Sequence, residues 1–88
     1  MFNDFIYVEL NMFDANSKVV CYSENSVNEI GHFSVSELPT ILVDLAYDQN
    51  IDLIRITGSS KYAQLVEFGV HTAEAQKYSN GKIRIEVI

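Results

Sequence analysis

The sequence predicts one small α/β domain spanning residues 1–88, with strands and helices in the order β-β-(β)-α-β-α-β. An N-terminal antiparallel hairpin or meander joins a parallel βαβαβ portion, giving an α+β mixed sheet. Three observations predict this. Two β-rich runs open the chain. The hydrophobic period then changes from two to about 3.6 residues near Leu38. Finally, a continuous apolar run, Ile51 to Thr57, separates two helical stripes, and right-handed crossovers make the strands joined in this way parallel.

Phe5 to Leu10 and Lys18 to Ser23 are the two opening β runs. The turn-rich stretch Asn11 to Ser17 joins them as a hairpin would. Glu24 to Gly31 is polar and reads as a loop. His32 to Val35 is a short third strand that closes the meander. Leu38, Ile41, Leu42, Leu45 and Ala46 then fall at i, i+3, i+4, i+7 and i+8, the stripe of an amphipathic helix. Ser34 with Glu37 fits a capping box, Ser36 is a rival N-cap, and Pro39 is tolerated in a first turn. Asn50 suits the helix C-terminus.

Ile51 to Thr57 is apolar on both faces apart from Asp52 and Arg55, the pattern of a strand covered on both sides. Tyr62, Leu65, Val66, Gly69, Val70 and Ala73 form the second stripe, with Gly69 expected to let the helix lie close to a strand. Ser79 to Gly81 stops that helix. In the last run Ile83, Ile85 and Val87 alternate with Lys82, Arg84 and Glu86, as in a half-exposed edge strand.

Composition narrows the function classes. At 88 residues, 48% of them apolar and 20% charged, the chain is an ordinary globular domain with a thin core. Cys21 is the only cysteine, so neither an internal disulfide nor a cysteine-based zinc cluster is available. A reducing, cytoplasmic setting fits this, as does a start that lacks the basic region of a signal peptide and carries Asp4 and Glu9. No apolar run approaches the ~20 residues of a membrane span.

The net charge is −6 and unevenly placed. Residues 1–54 carry nine acids against Lys18 alone, a net −8, whereas residues 55–88 carry a net +2. Such a dipolar layout disfavours direct contact with a nucleic-acid backbone and favours a basic protein partner.

Most catalytic chemistry can be set aside. Arg55 to Gln64 runs strand, glycine, hydroxyls, lysine, helix, the order of a phosphate loop. However, a Walker A loop needs a second glycine directly before its lysine, and Gly58, Ser59, Ser60, Lys61 is too short for that nest. What remains is a candidate site for one phosphate or carboxylate at a helix N-terminus, or only an N-cap at Ser59 or Ser60. Cys21 lies in an apolar strand and reads as a buried structural thiol. His32 and His71 share no metal-binding frame.

Carboxylates do not converge either. Glu9 is on the first strand, Asp14 in the turn, Glu37 at a helix start, and Asp52 at the wrong end of its strand. Asp44 and Asp48 are spaced as an acidic helix face. No catalytic residue, metal ligand or cofactor is therefore expected.

At residue level, Ile51 to Leu65 (IDLIRITGSSKYAQL) resembles the strand–Gly–Ser–Ser–helix turn that lies near nucleotide in actin-like domains. The element order is similar to the ribonuclease H-like superfamily, which includes the actin-like ATPase domains and begins with a three-stranded antiparallel meander. The chain departs from the nuclease pattern at Thr57, where an acid would stand. It departs from the ATPase pattern in lacking the phosphate hairpin with its Asp-Gly signature and the second lobe. The resemblance implies a ribonuclease H-like layout in a catalytically inactive descendant used for binding.

The leading expectation is a non-enzymatic protein–protein interaction domain whose acidic half meets a basic partner, with an inhibitor or nucleic-acid mimic as a special case. Glu37, Asp44, Asp48, Lys82, Arg84 and Glu86 are the candidate partner-binding residues. Self-association through the last strand is a further mode. The alternative is a small anion- or phosphate-ligand-binding domain, or a weak enzyme, using the loop Gly58 to Lys61. A third reading, a degenerate nuclease, predicts metal-dependent cutting that Glu9→Gln abolishes.

Overall fold

The computed structural model describes residues 4–11, 16–23, 26–79 and 81–88. Its elements are β1 (Phe5–Leu10), β2 (Asn16–Ser23), β3 (Ser26–Ser34), α1 (Leu38–Asp48), β4 (Leu53–Thr57), α2 (Ser60–Tyr78) and β5 (Arg84–Val87). The predicted order is the observed one. Five strands form one mixed sheet in the order β3-β2-β1-β4-β5. The β1–β2 and β2–β3 pairs are antiparallel, and β4 lies parallel to both β1 and β5.

β3 is longer than predicted. The polar stretch read as a loop is strand from Ser26 onward and pairs with β2 along its length. Its residues are largely exposed because β3 is a sheet edge, so burial leaves no apolar signature in them. A bulge opposite Val19 and Val20 inserts Ile30 between Glu29 and Gly31. The predicted turn at 11–17 falls partly on residues 12–15, outside the described residues, as do Glu24 at the head of the predicted loop and Asn80 in the second helix stop.

Both helices lie on one face of the sheet. Ile6 and Val8 from β1, Val19 and Cys21 from β2, and Ile54 and Ile56 from β4 pack in one cluster with Leu38, Leu42, Val43 and Ala46 of α1 and Ala63, Val66 and Val70 of α2. β4 is therefore not covered by helices on both sides, as its apolarity implied. Its other face is Leu53, Arg55 and Thr57, of which only Leu53 is buried.

The helices pack against each other at a small-residue contact. A methyl placed on Gly69 would stand 2.6 Å from Pro39 Cγ. Gly69 thus admits the first turn of α1, not a strand as the sequence suggested. The buried stripe of α2 is also rotated from the predicted one, to Ala63, Val66, Val70 and Glu74, leaving Leu65 56% exposed.

The caps follow the sequence in part. The N-cap of α1 is Glu37, with no side-chain cap bond, and not Ser34 or Ser36; the Glu37 carboxylate instead accepts from the Ser34 N–H at 3.1 Å and the Ser34 hydroxyl at 2.8 Å in the turn before the helix. That hydroxyl is the larger cause holding the Glu37 carboxyl below its usual range. Asn50 is left-handed, with φ 55°, one residue past the C-cap Gln49. Ile51 N–H donates to Ala46 O and Asn50 N–H to Tyr47 O, a Schellman closure.

Candidate functional site

Two depressions gather the side chains that sequence reading singled out. The first is a cleft of about 490 Å³ at the carboxyl ends of β1 and β4. Glu9 and Thr57 sit side by side there in the parallel register, with Lys18 across from Glu9 on β2 and His32 across from Lys18 on β3. Lys18 is drawn to Glu29 at 3.1 Å, which raises its pKa. Outside the carboxyl ends of adjacent parallel strands is where open α/β sheets take ligands.

The predicted anion loop opens at this cleft, but only Gly58 lines it. Gly58 has φ 110°, and a methyl on it would collide with the Leu10 carbonyl, so glycine holds β4 close to the end of β1. Ser59, not Ser60, is the N-cap of α2, and its hydroxyl accepts from Tyr62 N at 3.4 Å. Ser60 begins the helix, and Lys61 points to solvent in its first turn.

The donor set does not fit a two-metal nuclease centre. Thr57 stands beside Glu9 where a second carboxylate would be needed, and no group of three or more His, Cys, Asp or Glu side chains converges among the described residues. Asp52 is at the opposite end of β4, 3.7 Å from Arg84. Asp14 lies outside the described residues. Cys21 is buried, and burial pushes its thiol up in pKa, as expected of a structural cysteine.

The second depression is a groove of about 710 Å³ along the outer side of α1. Ile30 of β3, Ile41 and Leu45 of α1, and Tyr47 and Tyr78 give it apolar walls, and Asp44, Asp48 and Lys77 stand at its rim. Asp44 and Asp48 lie one turn apart on α1, whereas Glu37 is the N-cap that precedes the helix and does not line the groove. The structure thus brings two of the candidate partner residues to the groove and leaves Glu37 at the head of the same helix. Lys77 bonds Asp44 at 2.6 Å, which raises the Lys77 pKa. Gln49 donates to Asp48 at 3.2 Å.

The other three candidates lie on β5 or just before it, and none lines that groove. Lys82 meets Asn50 at 3.1 Å and lies over the Tyr47 ring, Arg84 leans on Asp52, and Glu86 bonds Arg55 at 3.0 Å. The acidic and basic halves of the sequence are therefore interleaved in space, because Lys77 and Arg84 pair with acids of the first half.

One polar side chain at the floor of this region was missed in the sequence. Glu74 is 1% exposed, and its Oε2 accepts from Tyr47 Oη at 2.6 Å, Lys82 N at 2.9 Å and Ile83 N at 3.1 Å. It ties α2 to α1 and to the entry of β5. Its signal was available: Glu74 continues the spacing Val66, Val70 by four more residues.

The mixed five-stranded sheet with two helices has a ribonuclease H-like layout, and one solved structure shares the fold. A T. thermophilus RuvC structure in complex with Holliday junction substrate aligns with a TM-score of 0.58 over 99% of this chain at 5% identity. Two Aquifex aeolicus structures of the Ppx/GppA family align over 98% of this chain, with TM-scores of 0.44 and 0.43 at 8% and 9% identity. The chain spans 64% of the RuvC chain and 35% and 36% of the other two. No protein-family model and no curated protein matches the sequence. Among the described residues no helix is long and apolar enough to cross a membrane.

Proposed function

We propose that this domain is a non-enzymatic protein-binding module whose partner lays a basic, amphipathic segment into the groove along α1. The observation that carries the reading is the groove's composition: apolar walls from Ile30, Ile41 and Leu45 beneath a rim that holds Asp48 and the Asp44–Lys77 pair. A helix with apolar residues at i, i+3, i+4 and i+7 and Lys or Arg on its flanks satisfies both. The net charge of −6 steers such a partner inward from a distance.

The test titrates a synthetic Leu/Lys amphipathic peptide into isotope-labelled protein. Amide shifts centred on Ile30, Ile41 and Leu45 are expected. The pair Asp44→Lys with Asp48→Lys is expected to weaken binding at least about tenfold, a loss of about 1.4 kcal/mol. Affinity is expected to fall as the Debye length shrinks from ~30 Å at low salt to ~8 Å at physiological salt. Shifts confined to other surfaces, or binding indifferent to salt, would sink the reading.

The cleft at Glu9, Lys18, His32 and Thr57 favours a second reading, a small polar ligand held at the strand ends. A ligand at 100 times its dissociation constant adds about 2.7 kcal/mol of stability. A thermal-shift panel of nucleotides, sugar phosphates and dicarboxylates tests it, and an unmoved melting temperature across the panel rejects it.

A further inference from the structure

The face of the sheet opposite the helices is a built surface. Phe5 stacks on Tyr22 with ring centroids 4.8 Å apart, and Tyr7 meets Tyr22 edge-on at 6.2 Å. The Arg55 guanidinium lies 4.6 Å over the Phe5 ring. Val20 and Leu53 are only 8% and 5% exposed on this side although no helix covers them, and they stand apart from the helix-side cluster. Val27, next to Tyr22 in register, is exposed. An ordered aromatic centre on an uncovered sheet is the composition of an interface core.

Charge decides what covers it. On this face Lys18 pairs with Glu29 and Arg55 with Glu86, Glu9 stands across from Lys18, and at its margin Arg84 faces Asp52. The face is therefore close to charge-balanced in a chain of net charge −6. Of its acids, Glu29 and Glu86 are already engaged, and Glu9 stands across from Lys18 in register, which leaves a basic partner little free charge to meet. A second copy of this chain, repelled elsewhere by like charge, meets the least repulsion here. Under a two-fold axis the alternating rim charges of each copy can lie against opposite charges of the other.

We infer that two copies of this chain dock through this face, sheet on sheet, with Phe5, Tyr7 and Tyr22 at the centre. Packed sheets lie about 10 Å apart with strand directions within about 30° of each other, which keeps both helix layers and both α1 grooves outward. The tyrosine rings suit this position, since each buries an apolar body and keeps a hydroxyl for a polar neighbour. The inference does not rest on the groove reading and stands or falls separately.

Sedimentation equilibrium across a wide concentration range tests it. The intact chain is expected to approach twice its chain mass and to stay there at high salt, because the centre is apolar. The double variant Tyr7→Glu, Tyr22→Glu is expected to dissociate at least about a hundredfold more readily, which is about 2.7 kcal/mol. Circular dichroism establishes that the variant is folded. A second measurement needs no variant: intermolecular NOEs in a half-labelled sample of the intact chain are expected between Tyr7, Tyr22 and Val20. A chain that stays monomeric overturns the inference. So does a folded variant that remains dimeric, and so do NOEs placing the contact at the β5 edge or the outer face of α2.

Discussion

At the scale of single residues, Gly58 and Glu74 hold the elements around the two depressions in place. Gly58 combines a φ of 110° with a backbone approach to Leu10 that leaves no room for a Cβ. Gly58→Ala is expected to cost more than about 2 kcal/mol, because backbone strain and a clash with main chain act together. Urea denaturation measures it. A loss within about 0.5 kcal/mol of zero, the range of a neutral surface change, would show that the β1–β4 approach relaxes freely.

Glu74 is the second such position. Its single oxygen Oε2 accepts two backbone N–H groups and a phenol. Glu74→Leu keeps the apolar packing but leaves buried donors unsatisfied at about 1–3 kcal/mol each. Glu74→Gln retains a carbonyl oxygen for the same donors and is expected to lose less. The order Glu, Gln, Leu in denaturation midpoint checks this, and Leu equal to Gln would refute it.

At the scale of elements, α1 is strapped to α2 through Tyr47, which stacks on Tyr78 at 3.7 Å between ring centroids and donates to Glu74. Loss of solvation, then the bond to Glu74, pushes the Tyr47 phenol up from its usual value to about 12. The protonated form is thus favoured in the folded chain. The stability it contributes is complete below the ordinary tyrosine pKa of about 10 and is lost as pH rises from there through about 12. Alkaline unfolding should therefore be steeper in the intact chain than in Tyr47→Phe, and ultraviolet titration should find one phenol lagging the rest. Equal alkaline slopes in the two proteins would count against the strap.

Element type was legible wherever a period was one-sided: the stripe from Leu38 to Ala46 marked α1, and the alternation from Lys82 to Val87 marked β5. β3 was half lost, because an edge strand exposed along most of its length carries no such period. The stripe of α2 was misplaced for a related reason. Leu65 looked buried by type, while the packing needed small Ala63, Gly69 against Pro39, and a carboxylate at Glu74. The acidic face of α1 was readable from spacing. Its apolar wall was not, because Ile30 reaches the groove only through a bulge opposite β2. The cleft depends on register across four strands, and no local stretch of sequence encodes that.

At the scale of the whole molecule, one helix layer on one sheet predicts a gradient of stability across the strands. β1 and β4 are bonded on both sides, and their inward residues Ile6, Val8, Ile54 and Ile56 are fully buried beneath the helices. β3 and β5 are bonded on one side only and are mostly exposed. The β1–β4 pairing also joins residues far apart in sequence, Ile6 with Ile54, so it breaks only when the domain opens as a whole. Native-state hydrogen exchange should find the amides of Ile6, Val8, Ile54 and Ile56 among the slowest, opening with the global unfolding free energy. Amides of β3 from Val27 to Glu29 should exchange through local fraying that urea hardly accelerates. A second copy on the open face would slow the central strands further with rising protein concentration and leave the β5 edge unchanged, whereas edge-to-edge pairing would protect β5 first. Uniform exchange across all five strands would mean that the sheet opens as one unit and that its edges are as firmly held as its centre.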